Sequence, residues 1–495
     1  MKPSPSVCPR LTRRSVLSGA LAAGFCFRLD ALAAAETASV PRVRPLPSDG
    51  KTPIPLFGLG CAEKFPLRHS SPGDSPKLPE GLIDYALGHG VTWLDTGYAY
   101  HGGKSEPFLG RVLPRYPRES FMLSTKMPTW LIKSVDDAKR IFAEQLERCQ
   151  TDYFDFYMLH SLSNKEDFER VYVKLGVLDY LLAEKQAGRI RHLGFSYHGK
   201  SDFLDELLTA YPGVFEVAMM MLNRMEYTWN PDAPKLPAIA AKHGVGVLVM
   251  EPLAGGRAAK LGGDELAILR KLRPHDSAAR WGLRFAASQP GVICVFSGVS
   301  RLDYMKENIE TLSEEFQPLS AEEFAAYDEA IALYMRHKSI PCTGCSYCVP
   351  CPYGVRIPEI FAWYNAWAQK GRLPADEGEN DSQELRRRFL ASYNNAFRPK
   401  ERADRCAGCR KCKVACPQWT FDIPEENWNC YCAYKFVPTN SYDVEHQVTA
   451  DTTPIALMEL EILGELPSSA PHVTGCAVAR QGWTDLDFSV TIDSK

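Results

Sequence analysis

Between Pro53 and about Leu312 short β-branched or apolar runs alternate eight times with longer segments of helical period. The runs are 54–61, 92–95, 121–126, 154–160, 190–196, 217–223, 245–251 and 292–299, and they read as strands. Helical segments are expected at 80–90, 135–149, 168–188 and 277–288, the last with Asp276 or Ser277 as its N-cap. Eight strands separated by helices over roughly 250 residues predict a (β/α)₈ TIM barrel, here bounded at residues 50–335. Such a barrel carries its active site at the C-terminal ends of its strands.

Polar residues with usable chemistry fall at those ends. Asp95 and Tyr100 lie in Leu-Asp-Thr-Gly-Tyr-Ala-Tyr, Lys126 in Ser-Thr-Lys-Met, and His160 in Tyr-Met-Leu-His-Ser. A lysine beside a tyrosine stabilises the phenolate and makes the tyrosine a proton donor. Asp95 is expected to pair with Lys126 and hold it there. His160 is expected to donate a hydrogen bond to a carbonyl oxygen and to support the oxyanion formed on reduction. Any one of these residues alone is more often structural than catalytic; their order along three consecutive strand ends carries the expectation.

Asp-x₄-Tyr, the following Gly103-Lys-Ser-Glu106, Ser-Thr-Lys and Leu-His resemble the aldo/keto reductase superfamily. The resemblance runs over residues 53–312, through Gly194-Phe-Ser196, Met250-Glu-Pro-Leu-Ala-Gly255-Gly256 and Lys306-Glu-Asn308. It implies a carbonyl reductase or alcohol dehydrogenase using NAD(P)H, with Tyr100 as general acid, Lys126 and Asp95 tuning it, and His160 orienting the carbonyl. The nucleotide contacts it implies are Ser196, Gly255, Gly256, Ser300, Arg301 and Asn308. The positions that hold and stack the nicotinamide in the superfamily carry Met219, Tyr197 and Met250, and only Ser196 matches. Arg301 is the cation nearest to the place of the 2′-phosphate grip. Backbone amides around Gly255–Gly256 and Gly298–Ser300 are expected to cradle a pyrophosphate.

Of the 16 cysteines, eight fall between Cys342 and Cys416, a clustering that points to metal rather than to a disulfide framework. The first run is Cys342-x₂-Cys345-x₂-Cys348-x₂-Cys351-Pro and the second is Cys406-x₂-Cys409-x₂-Cys412-x₃-Cys416-Pro. The second has the spacing of bacterial two-cluster ferredoxins, in which the fourth cysteine of each run serves the other cluster. By that rule Cys342, Cys345 and Cys348 share a [4Fe–4S] cluster with Cys416, and Cys406, Cys409 and Cys412 share one with Cys351. Four-thiolate zinc is the rival reading, and successive triplets each ending in Cys-Pro fit it poorly. The chain resembles a branch of the aldo/keto reductases with a C-terminal ferredoxin-like extension, here 336–425 with a helical insert. Residues 426–495, with Cys430, Cys432 and Cys476, have no legible role.

At the N-terminus, Arg13-Arg14-Ser-Val-Leu, an apolar run to Phe27 and small residues around Ala33–Ala35 resemble a twin-arginine export signal over residues 1–35. That route carries folded proteins, which suits clusters assembled before export, and it implies a periplasmic protein. The apolar run is shorter than the ~20 residues a membrane span needs. A formal net charge of −3 gives no basic surface for nucleic acid. Two functions stay open. One is an enzyme acting on a small carbonyl or alcohol, its two clusters exchanging electrons with an external donor or acceptor. The other is an electron-transfer iron–sulfur subunit whose barrel is a non-catalytic scaffold or ligand-binding domain.

Overall fold

The computed structural model describes residues 39–416 apart from 63, 68–76, 337–339, 341, 374–379, 408, 410 and 413–415. The export signal with Arg13 and Arg14, and the tail with Cys430, Cys432 and Cys476, lie outside the described residues.

All eight expected barrel strands form: β3 (Phe57–Gly60), β4 (Trp93–Asp95), β5 (Met122–Pro128), β6 (Phe154–Leu162), β7 (Ile190–Tyr197), β8 (Val217–Met221), β9 (Gly246–Met250) and β10 (Val292–Ser297). They pair in parallel in sequence order, and β10 closes on β3. A closed parallel ring puts every strand's C-terminal end on one rim. The β5–β6 register sets Lys126 beside Met158 and Pro128 beside His160.

Two expectations are corrected. The predicted first strand is broken at Leu56: β2 (Pro53–Pro55) pairs antiparallel with β1 (Val43–Pro45), and only β3 enters the barrel. The prolines bounding β2 lack ladder donors, which suits a short hairpin rather than a central strand. The helix expected over 168–188 divides into a π-helical segment, Phe168–Lys174, and an α-helix, Val177–Gln186. Between them Gly176 has a φ of +71°, a left-handed conformation that glycine adopts without a Cβ clash. By contrast, the helix Val135–Cys149 has the expected bounds, with Ser134 accepting from the Asp137 amide as its N-cap.

Inside the ring, Leu46 and Ile54 of the hairpin pack with Trp93, Phe156, Met219, Leu248 and Phe296. Trp93 stacks on Phe156 at 4.0 Å and meets Phe296 edge-on at 5.1 Å. The hairpin therefore plugs the floor of the barrel, and the polar groups are left to the opposite rim. Glu216 pins the plug, accepting from Ser48 at 2.6 Å and Lys185 at 2.6 Å and lying 2.9 Å from His192 Nδ1.

After the helix Ala321–Met335 the chain builds a separate small core from the helices Ile357–Ala368 and Asn380–Ala396. Ile360, Phe361, Tyr364, Phe389, Tyr393 and Phe397 are buried there, and five of the cysteines pack against them. Trp363 sits 4.5 Å from Phe389 and 5.1 Å from Tyr393, so the two helices lock through aromatic contacts. The expected insert is thus the scaffold on which the cysteine runs rest.

Candidate active site

Asp95 ends β4, and the turn that follows carries Tyr100 back over the rim. Gly97 makes that return close: a Cβ there would stand 3.2 Å from three atoms of the Tyr100 ring. Lys126 Nζ lies 2.6 Å from Asp95 Oδ2, 2.8 Å from Oδ1 and 2.7 Å from the Thr96 carbonyl, and the lysine is fully buried. The same ammonium lies 4.8 Å from the centroid of the Tyr100 ring. Burial pulls Lys126 below the ordinary lysine range, and the Asp95 carboxylate opposes that pull. Ser124 Oγ donates to Asp95 Oδ1 at 2.7 Å and accepts from Trp93 at 3.0 Å, which fixes the carboxylate's plane.

His160 closes the set, its ring 5.7 Å from that of Tyr100 in an edge-on arrangement. Burial holds the imidazole well below the usual histidine range, and Lys126 and His198 add to this. His160 is therefore neutral near pH 7, and a neutral imidazole can still donate one hydrogen bond to a carbonyl oxygen. Trp130 flanks it at 4.9 Å and is 45% exposed, forming a wall that reaches solvent. The structure thus gathers Asp95, Tyr100, Lys126 and His160 into one pocket at the expected rim.

Glu106 supports the pocket from behind. Its buried carboxylate accepts from Thr125 at 2.6 Å, Gln145 at 2.7 Å and Arg148 at 3.2 Å. Gln145 also donates to the Lys126 carbonyl at 3.0 Å, tying the strand that carries the lysine to the helix behind it.

The expected nucleotide contacts are spread around the same rim and are engaged with the chain itself. Ser196 Oγ accepts from the Ser161 amide at 2.7 Å, Arg301 pairs with Asp303 at 2.9 Å, and Asn308 donates to Ser297 at 3.3 Å. Ser300 lies in the loop between β10 and the helix Leu302–Thr311. Gly255, at φ +66°, is covered: a Cβ there would stand 1.9 Å from the Thr343 carbonyl oxygen. At Gly298 a Cβ would stand 2.9 Å from Lys64 Cβ, whereas Gly256 faces open space.

Sequence reasoning missed Tyr347 and Glu251. Tyr347, between Cys345 and Cys348, reaches into the pocket and stands 3.1 Å from His160 Nε2. Glu251 accepts from Thr343 Oγ1 at 3.1 Å, and burial pushes its carboxyl up to about 7. No barrel motif includes Tyr347, and residues 92 apart in the chain gave no signal that Glu251 and Thr343 would meet.

Cys348, Cys351, Cys406, Cys409 and Cys412 line a recess of ≈ 370 Å³ together with Pro350, Val355 and Ile357. Burial raises the Cys345 thiol, and the Glu251 carboxylate and the thiols of Cys416 and Cys342 add to it. Burial, Cys342 and Cys412 push Cys348 up to about 12. All eight cysteines are free of disulfides. Among the described residues no group of three or more His, Cys, Asp or Glu side chains is drawn tightly enough to hold a single metal ion.

A model of the aldo/keto reductase family matches residues 75–332. The chain is 25% identical over 318 residues to the uncharacterized oxidoreductase YqkF of Bacillus subtilis, covering 58% of this chain and 96% of that protein. It is 26% identical over 185 residues to the NADH-specific methylglyoxal reductase of Escherichia coli, covering 34% of this chain and 54% of that protein. Among solved structures, the aldo-keto reductase AKR11C1 from Bacillus halodurans matches at 24% identity, covering 59% of this chain and 96% of that one, with a TM-score of 0.45.

Proposed function

The chain belongs to the aldo/keto reductase family and is an oxidoreductase, and from that premise we propose that it interconverts a small carbonyl and its alcohol at the rim formed by Asp95, Tyr100, Lys126 and His160. We further propose that it works in the periplasm after twin-arginine export, with two [4Fe–4S] clusters on its eight clustered cysteines and an external electron donor or acceptor. The observation that carries the reading is the buried Lys126 ammonium, held by Asp95 at 2.6 Å and set 4.8 Å from the Tyr100 ring beside a neutral His160.

Each residue then has a task. As the carbonyl carbon takes up two electrons from the external donor and a proton from solvent, Tyr100 gives its own proton to the oxygen, and it takes that proton back when the alcohol is oxidised. The Lys126 charge stabilises the phenolate left behind, and Asp95 keeps the lysine in place without reaching the substrate. His160 donates to the same oxygen and fixes its approach. Trp130 forms one wall of the entrance.

The residues fit cluster binding. Cys348, Cys351, Cys406, Cys409 and Cys412 share one recess, which brings members of both expected sets together, and the charges of Cys342 and Cys416 act on Cys345. A cubane spreads its thiolate ligands more widely than the tight single-ion cage that is absent among the described residues. When bound, such clusters carry single electrons between an outside partner and the interior.

A nicotinamide nucleotide fits this conformation poorly. Two of the glycine faces expected to cradle its pyrophosphate are packed by Thr343 and Lys64. That cover over the pocket also favours the second reading, an electron-transfer iron–sulfur subunit whose barrel is a scaffold. One experiment separates the two: purify the full chain without oxygen, count iron and sulfide, and compare carbonyl turnover in wild type and Tyr100→Phe. About eight irons per chain are expected, with a loss of turnover of about 10²-fold or more in the variant at unchanged iron. Equal turnover would leave the barrel as scaffold.

A further inference from the structure

Resting on the carbonyl pocket proposed above, we infer that the Tyr347 hydroxyl occupies the position at which this pocket receives a carbonyl oxygen, making the first cysteine run an internal competitor for the substrate. The two groups assigned to grip a carbonyl oxygen are the His160 Nε2 and the Tyr100 hydroxyl. Tyr347 lies 3.1 Å from the first and hydrogen-bonds to the second. A hydrogen-bonding oxygen excludes another from the same point, since each needs its own separation of about 2.7 Å or more from its partners. A carbonyl and the Tyr347 hydroxyl therefore alternate.

The segment is wedged rather than draped. Thr343 is buried, donates to Glu251 at 3.1 Å and sets its carbonyl against Gly255 so closely that only glycine fits there. Gly344 abuts Lys64, whose Nζ would stand 3.1 Å from a Cβ at that position. Ser346 takes a φ of +66°, a left-handed conformation unfavourable for a residue with a Cβ, and this turn aims Tyr347 at the pocket. The ring extends between His160, at 6.3 Å between centroids, and the rim. The space it would vacate is shaped for a phenyl group, which points to aryl aldehydes and ketones as the carbonyls that can replace it.

Because Tyr347 lies between Cys345 and Cys348, whatever holds those thiols also sets how firmly the hydroxyl is seated. By linkage, a ligand that displaces Tyr347 must equally loosen the cysteine run. The apparent affinity for such a ligand is lowered by the fraction of molecules in which the pocket is free.

Benzoate is a suitable probe, as a planar ring bearing oxygens for the same two donors. It is titrated calorimetrically into the full chain, purified without oxygen, as wild type, Tyr347→Phe and the His160→Ala form of each. Tyr347→Phe, which keeps the ring and loses the hydroxyl, is expected to bind about tenfold more tightly, with a matching fall in KM for benzaldehyde that exceeds any change in kcat. In wild type, saturating benzoate is expected to speed amide hydrogen exchange across residues 342–351. Equal or weaker binding in Tyr347→Phe, or exchange that is unchanged or slower, overturns the inference. If His160→Ala abolishes binding while Tyr347→Phe changes nothing, the carbonyl pocket stands and only the competitor is lost. If His160→Ala has no effect on binding in either background, the pocket assignment itself fails. Wild-type exchange decides the matter should the variant lose iron.

Discussion

The Lys126 ammonium and the Asp95 carboxylate meet at 2.6 Å with almost no solvent at either side chain. Removing one partner strands the other as a buried charge, which typically costs about 3–5 kcal/mol. Asp95→Asn is therefore expected to lower stability by that order and to reduce carbonyl turnover. The double variant Asp95→Asn/Lys126→Met is expected to regain much of the stability and none of the turnover. Urea unfolding alongside kinetics reads both.

Gly255 faces the Thr343 carbonyl at a φ of +66°, so Gly255→Ala has both a steric and a conformational cost. The expected result is withdrawal of the 342–347 segment from the rim. Faster proteolytic cleavage near residue 340 and tighter benzoate binding would report it; an unchanged cleavage rate would mean that the loop yields instead.

Glu216 gives a pH signature at the barrel floor. Burial raises its carboxyl, and hydrogen bonds from His192, Lys185 and Ser48 more than reverse this, bringing it to about 2 from an ordinary 4.5. A depressed folded-state value stabilises the fold above the unfolded value of 4.5, and that contribution is lost as pH falls toward 2. The size is up to about 3 kcal/mol. Glu216→Gln is expected to unfold more easily at pH 7 and to show a shallower loss of stability between pH 4.5 and 2. Thermal melts across that range test it.

Cys351 lines the recess with Cys348, Cys406, Cys409 and Cys412, and spacing assigns it to the cluster held by the last three. Cys351→Ser is expected to remove about half of the iron and sulfide while leaving the melting of the barrel unchanged. Loss of all metal would indicate that neither cluster survives alone, and unchanged metal would exclude Cys351 as a ligand.

The barrel was legible because its strands are short apolar runs bounded by polar segments, and local pattern suffices to find them. Asp95, Lys126 and His160 were legible for the same reason: each sits at or just after a strand, and the fold sends every strand end to one rim. The split at Leu56 escaped because an apolar run does not say which sheet it joins. Gly176 escaped because the apolar period continues on both sides of it. Tyr347 was beyond reach for a different reason, since its partner His160 is 187 residues away and the contact depends on how a cysteine loop docks.

The hairpin in the floor has a consequence for what precedes it. Pro41 bridges to Ser313 and Val40 lies against Gly90, so the described chain enters at the pole away from the pocket. Residues 39–41 therefore stand on the far side of the barrel from Tyr100, and a label carried on the exposed Val40 leaves the entrance untouched.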